Sequence, residues 1–240
     1  AAVSPRPQTT RRRQLGILTL PEAQIVFVDT PGLHIPRHKL GQFFNQEAEG
    51  ALDGVEIALF LVDASSGPDD EDRLVARTLS GLRTEPGLLL GLNKIDLVPV
   101  GALEAQRTAY QALIPQATTI LLSAARGDGR ADLLAALTAR LPVRPPEFPA
   151  EQITDLYERE ISAELIREAA LIYLREEVPH ALAVRLDEFT ERGQKGAYLA
   201  ATLFVERESQ KGIVIGDGGA MLKNIGSAAR KEIERMSGRK

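Results

Sequence analysis

Four apolar runs punctuate the first part of the chain, and each stops at a polar or glycine-containing loop: residues 24–28 before Asp29, 57–62 before Asp63, 88–92 before Asn93 and 119–122 before Ser123. Short runs of this kind, bounded by turn residues, read as buried parallel strands. Between them apolar residues recur at helical spacing, first at Leu40, Phe43, Phe44 and Ala48, then at Leu74, Val75, Leu79 and Leu82, and later at Leu133, Leu134, Leu137 and Leu141. Strands alternating with helices predict an α/β domain over residues 1–141, doubly wound, with its ligand site beyond the carboxyl ends of the strands. The polar loops fall at those ends.

Pro142, Pro145, Pro146 and Pro149 then rule out a helix or central strand, so residues 142–150 are expected to form a stiff linker. The second domain, 151–240, has a different pattern. Ile161, Leu165, Ile166, Ala169 and Ile172 line one face of a helix expected over 153–177, ending before Pro179. Two alternating segments, 181–188 and 197–206, flank a turn between Gly193 and Gly196, and a glycine-rich loop opens a last helix. This half is therefore an α+β domain.

Composition narrows the chemistry. The chain is 44% hydrophobic and 26% charged, an ordinary core-forming mixture, and it has no cysteine, which excludes disulfides and thiolate metal sites. His34, His38 and His180 are scattered, so any catalytic metal should have oxygen ligands. No apolar window is long enough to span a membrane, and the basic start at Arg11, Arg12 and Arg13 lacks the apolar stretch of a signal peptide, so a cytoplasmic location is expected. The net charge of −4 hides an asymmetry: 15 basic and 17 acidic residues over 1–150, 4 and 11 over 151–191, then 10 and 5 over 192–240. A basic end behind an acidic stretch suits a C-terminal part that meets a polyanion.

Three motifs carry chemistry. Asp29-Thr30-Pro31-Gly32 follows a strand, where the carboxylate can reach a magnesium ion through water and the Gly32 N–H can face a terminal phosphate. Asn93-Lys94-Ile95-Asp96 follows another. The Asp96 oxygens can accept from both N1–H and the exocyclic amine of guanine, a donor pair that adenine lacks, while Asn93 braces the loop and the Lys94 stem lies over the base. Ser123-Ala124-Ala125 follows the next strand and offers the Ala124 N–H to the guanine oxygen. Asp29 precedes Asn93 by 64 residues, and Asp96 precedes Ser123 by 27.

In that order, and each at the end of a strand, these motifs resemble the translation-factor class of P-loop GTPases. Upstream, Pro5-Arg6-Pro7-Gln8-Thr9-Thr10-Arg11 is similar to the first switch of the Era family, in which a threonine hydroxyl joins the magnesium shell. Thr9 and Thr10 are both candidates, and Thr10 is preferred. In the second domain, residues 213–226 resemble the KH signature, with Gly216, Asp217, Gly218 and Gly219 as the GXXG loop along which an RNA backbone runs. Asp217 departs from the pattern, because that position is often basic; Lys211, Lys223, Arg230 and Lys231 are candidates to compensate.

The resemblance implies a GTPase followed by a type II KH domain, with GTP or GDP and Mg as ligands. It implies binding near the 3′ end of small-subunit ribosomal RNA, assistance to 30S assembly, and loose association with the inner membrane; no DNA partner is expected. Thr10, Asp29 and Gly32 then serve hydrolysis. Two features qualify it. No G-x-x-x-x-G-K-[ST] loop occurs, so that loop is expected before Ala1, one further strand is expected after Lys240, and the chain as written is expected to be inactive. Leu33 stands where Ras-like enzymes keep a water-orienting Gln, which implies slow hydrolysis aided by another group or partner. The rivals are a double-GTPase assembly factor, whose KH-like domain lacks GXXG, and a non-catalytic RNA-binding protein with a degenerate nucleotide domain.

Overall fold

The apolar runs at 57–62 and 88–92 lie in β3 (Ile57–Asp63) and β4 (Gly87–Asn93), and the run at 119–122 overlaps β5 (Thr118–Leu121) and ends one residue beyond it; the three strands form one parallel sheet in the order β3-β4-β5. The computed structural model describes residues 13–35, 39–82, 87–175, 178, 181–193 and 196–239. Residues 24–28 lie in β2 (Gln24–Asp29), which among the described residues pairs with β1 (Gln14–Thr19) in a separate two-stranded sheet. β2 is only partly buried: Ile25 enters the core, whereas Phe27 is exposed.

The helices bury part of the predicted stripes, although Phe43 of the first is exposed and the buried Ala76 lies outside the second. α1 (Lys39–Gly50) buries Phe44 and Ala48, α2 (Asp70–Ser80) buries Ala76 and Leu79, and α4 (Arg130–Thr138) buries Leu137. α2 starts sharply because Asp69 accepts from the Asp72 N–H while Asp72 accepts from the Asp69 N–H, a capping box. α3 (Leu103–Leu113) supplies Tyr110, which with Phe60, Leu90, Leu92 and Ile114 fills one core; Ile25, Leu89, Ile120, Leu122 and Leu137 form another.

The proline segment is fastened to this unit. Gln24 Oε1 accepts from the N–H groups of Glu147 and Phe148, and Gln24 Nε2 donates to the Phe148 carbonyl, so one amide satisfies three backbone groups. The described chain divides into two compact units, one of residues 16–153 and one that joins residues 13–15 to residues 154–239.

In the second unit α5 is Glu158–Tyr173, shorter than the helix expected over 153–177. It starts where the Glu160 carboxylate takes the Tyr157 N–H and stops where Leu174 turns extended and buries. β6 (Leu182–Glu191) and β7 (Ala197–Val205) pair antiparallel with a register shift between Leu186 and Glu188. α6 (Glu208–Ile215), the glycine loop and α7 (Ala220–Ser237) follow. Ala170, Leu174, Leu182, Val214, Ile225 and Ala229 make this unit's core.

Candidate functional site

Asp63 pairs in register with Asn93, and Leu92 with Leu121, so β3, β4 and β5 end flush. Backbone bonds lace the three ends together: Ala64 N–H to the Asn93 carbonyl at 2.8 Å, Leu122 N–H to Leu92 at 2.8 Å, and Ile95 N–H to Leu122 at 3.1 Å. Asn93, Lys94, Asp96, Ser123 and Ala124 are thereby brought into one loop cluster. The fully buried Ser123 donates its hydroxyl to Asp96 Oδ1 at 2.5 Å. Asn93 Oδ1 accepts from the Ala124 N–H at 2.9 Å. The amide expected to meet a base oxygen is thus turned toward Asn93 here, and this bond ties the loop after β4 to the loop after β5. Ala125 is exposed beside it, in a turn closed by bonds from the Arg126 and Gly127 N–H groups to the Ser123 carbonyl.

Lys94 has φ 61°, a left-handed conformation, and its ammonium donates to Asp63 Oδ2 at 2.5 Å. Asp63 Oδ1 accepts from the N–H and the hydroxyl of Ser65 at 3.0 and 2.6 Å. Partial desolvation works to raise the Asp63 pKa, but the bonds from Lys94 and Ser65 and the ammonium charge outweigh it and hold the carboxyl below its ordinary value. Tyr110, 1% exposed, places its hydroxyl 3.0 Å from the Asp63 carbonyl, 3.3 Å from that of Ser66 and 3.2 Å from Asp72 Oδ2. Burial, and then the Asp72 carboxylate, push the phenol pKa well above its usual value, so it stays a donor. Burial also raises Asp72.

Asp29 ends β2, Pro31 is fully buried and Gly32 is exposed, with no heavy atom within 4 Å of where a Cβ would stand. Thr30 and Leu33 are half-buried. Buried Pro31 anchors the turn, and Gly32 beside it is exposed. Beyond it, Asn45 on α1 holds both backbone groups of His34, donating to its carbonyl at 2.8 Å and accepting its N–H at 3.2 Å; the His34 ring nitrogen lies 3.2 Å from the Gly32 carbonyl. Thr9, Thr10, His38 and His180 lie outside the described residues.

The glycine loop has its own geometry. Gly216 (φ 74°) closes α6 by donating to the Gly212 carbonyl at 2.9 Å, and a Cβ there would stand 2.6 Å from Met221 Cβ. Only glycine fits. Gly218 (φ 54°) and Gly219 (φ 82°) face open space, and Asp217 is exposed. Lys223, Arg230 and Lys231 are exposed on α7; Arg230 pairs with Glu234 at 2.9 Å, and Lys211 on α6 with Glu208 at 3.3 Å.

Asp63, Ser65, Tyr110 and Asn45 were not singled out from the sequence. Asp63 was findable, because it ends a buried strand just as Asp29 and Asn93 do.

Comparison with known proteins agrees with both halves. A family model described as 50S ribosome-binding GTPase matches residues 1–94, and one described as KH domain matches 177–240. GTPase Era of Geobacter metallireducens is 45% identical over 97% of this chain and 78% of its own, and that of Carboxydothermus hydrogenoformans is 43% identical over 99% and 80%. Two solved structures superpose with a TM-score of 0.92 at 33% identity, covering all of this chain and 81% of theirs. One is Era with MgGDPNP and nucleotides 1506–1542 of 16S ribosomal RNA; the other is an Aquifex aeolicus Era variant bound to GDP and AlF4−.

Proposed function

The chain belongs to the Era family of GTPases, an α/β GTPase domain followed by a KH domain, and from that premise we propose that the loop cluster ending β4 and β5 is its guanine reader and the glycine loop before α7 its RNA contact. The family hydrolyses GTP to GDP and phosphate. Asp96 accepts the two guanine donors, Asn93 braces the loop, Lys94 covers the base, and Ser123, Ala124 and Ala125 shape the wall beside the base oxygen. The observation that supports this reading most is the 2.5 Å bond from buried Ser123 to Asp96, which fixes a carboxylate where base-edge geometry must be held.

On the phosphate side, Asp29, Thr30, Pro31 and Gly32 form the γ-phosphate sensor, with the Gly32 N–H as donor. Asp29 and Thr10 offer hard oxygen donors that suit Mg, which when bound neutralises charge on the phosphates. Leu33 cannot orient water, so hydrolysis is slow and needs assistance.

In the second domain, Gly216, Asp217, Gly218 and Gly219 let an RNA backbone approach the start of α7, with Lys211, Lys223, Arg230 and Lys231 supplying positive charge. The RNA is the 3′ end of small-subunit ribosomal RNA, bound in the GTP state during 30S assembly in the cytoplasm. Peripheral association with the inner membrane belongs to the same reading; no described helix is long and apolar enough to cross a membrane. The domain limits are taken as 1–141, 142–150 and 151–240.

The test is titration of full-length protein, loaded with a non-hydrolysable GTP analogue or with GDP, with an oligonucleotide of the small-subunit RNA 3′ end. A nucleotide switch predicts tighter binding in the GTP state by about fivefold or more. Equal affinity in both states would contradict the switch, and equal affinity for an unrelated RNA would contradict the RNA assignment.

A further inference from the structure

We propose that Asp63 is a positioning residue for the nucleotide base, acting by tethering Lys94 at the edge of the pocket. The proposal rests on the reading of residues 93–96 as the base reader. Lys94 is the one non-glycine residue with positive φ among the described residues. For a residue with a Cβ that conformation is unfavourable, and it persists only where surrounding bonds fix it. Here they do. The Asn93 carbonyl is held by Ala64, the Ile95 N–H by Leu122, and the Lys94 carbonyl by the Leu97 N–H at 2.9 Å. The turn directs the Lys94 side chain toward the end of β3, where its ammonium meets Asp63 at 2.5 Å.

An ion pair between half-exposed side chains is ordinarily worth little, because two long side chains must be ordered to make it. Asp63 escapes most of that cost. Its other oxygen is engaged twice by Ser65, and its carbonyl lies within reach of the hydroxyl of buried Tyr110, which also reaches Ser66. A path of bonds therefore runs from the α3 core through the loop at 63–66 to Lys94. With its ammonium anchored, the Lys94 stem is ordered in the folded protein and loses less freedom when a base slides beneath it, so part of the ordering cost of binding is met in advance. Asp63 should then add to affinity without choosing the base, because it sits on the Lys94 side of the loop and leaves the Ser123–Asp96 bond untouched.

The experiment measures GDP and XDP affinity of full-length Asp63→Asn, Asp63→Glu, Lys94→Met and the double variant Asp63→Asn/Lys94→Met, each checked by thermal melting. Asparagine keeps an acceptor for Ser65 and removes the charge facing Lys94. GDP affinity of Asp63→Asn should fall about two- to fivefold, the range of an exposed ion pair, with the GDP-to-XDP ratio unchanged. Asp63→Glu should recover part of the loss. The double variant should bind no more weakly than Lys94→Met, since Asp63 acts through that residue. Wild-type affinity in Asp63→Asn, or losses that add in the double variant, would overturn the proposal. Failure of the base reading has a separate signature, namely Asp96→Asn retaining its preference for GDP, and that result would remove both.

Discussion

Ser123 and Asp96 lie 27 residues apart in sequence, yet the hydroxyl of the first donates to the carboxylate of the second at 2.5 Å, and Ser123 is fully buried. The bond limits rotation of the carboxylate proposed to read guanine. Ser123→Ala should therefore weaken GDP binding by about 1 kcal/mol, or roughly fivefold, the usual worth of one such hydrogen bond. Competitive displacement of a fluorescent GDP would measure it, and the preference for guanine should survive.

Gly218→Asp should weaken RNA binding strongly while leaving the domain folded. Its φ of 54° lies where aspartate is tolerated better than most residues, and nothing stands within 4 Å of the new Cβ. The added carboxylate joins that of Asp217 on the proposed path of the RNA backbone. GTP affinity should be unchanged, since the two units bury separate cores. Gly216→Ala is the contrasting variant: its Cβ would meet Met221, so it should lower the melting temperature of the KH domain. RNA titration and thermal melting of both variants check the pair.

Tyr110→Phe removes a buried hydroxyl that serves the carbonyls of Asp63 and Ser66 and the Asp72 carboxylate. The expected cost is about 1 kcal/mol. For a chain of this size that corresponds to a fall in melting temperature of about 2–4 °C, which calorimetry would register.

The Asp63–Lys94 pair gives stability a defined pH dependence. Asp63 titrates below its ordinary value of 3.8 in the folded protein, so its stabilising contribution is complete above that value and disappears as pH falls through the lower folded one. Wild type should exceed Asp63→Asn in stability by a constant margin of at most about 1 kcal/mol above about pH 5. The margin should shrink below about pH 4, as melting curves across this range would record.

The sequence made the nucleotide half legible where burial is greatest. β3, β4 and β5 are apolar enough to stand out, and the reactive residues at their ends follow from the α/β rule. β1 was missed because Gln14–Thr19 is short and half-buried. α3 was missed because it buries Tyr110 without a broad apolar stripe. α6 was missed because Ile213, Val214 and Ile215 read as part of the glycine-loop signature, whereas the helix is set by its ends, with Gln210 accepting the Arg207 N–H and Gly216 terminating it. The Asp63–Lys94 bond joins residues 31 apart, and no local periodicity encodes such a pair.

The central claim is that Asp96 reads guanine, and Asp96→Asn in the full-length protein tests it most directly. An amide can donate to the xanthine 2-oxo group where the carboxylate accepted from the guanine amine, so the change reverses hydrogen-bond polarity at nearly constant shape. Calorimetric titration should find GDP bound at least about tenfold more weakly, with XDP now preferred. Retention of wild-type affinity for guanine nucleotides by the variant would contradict the account.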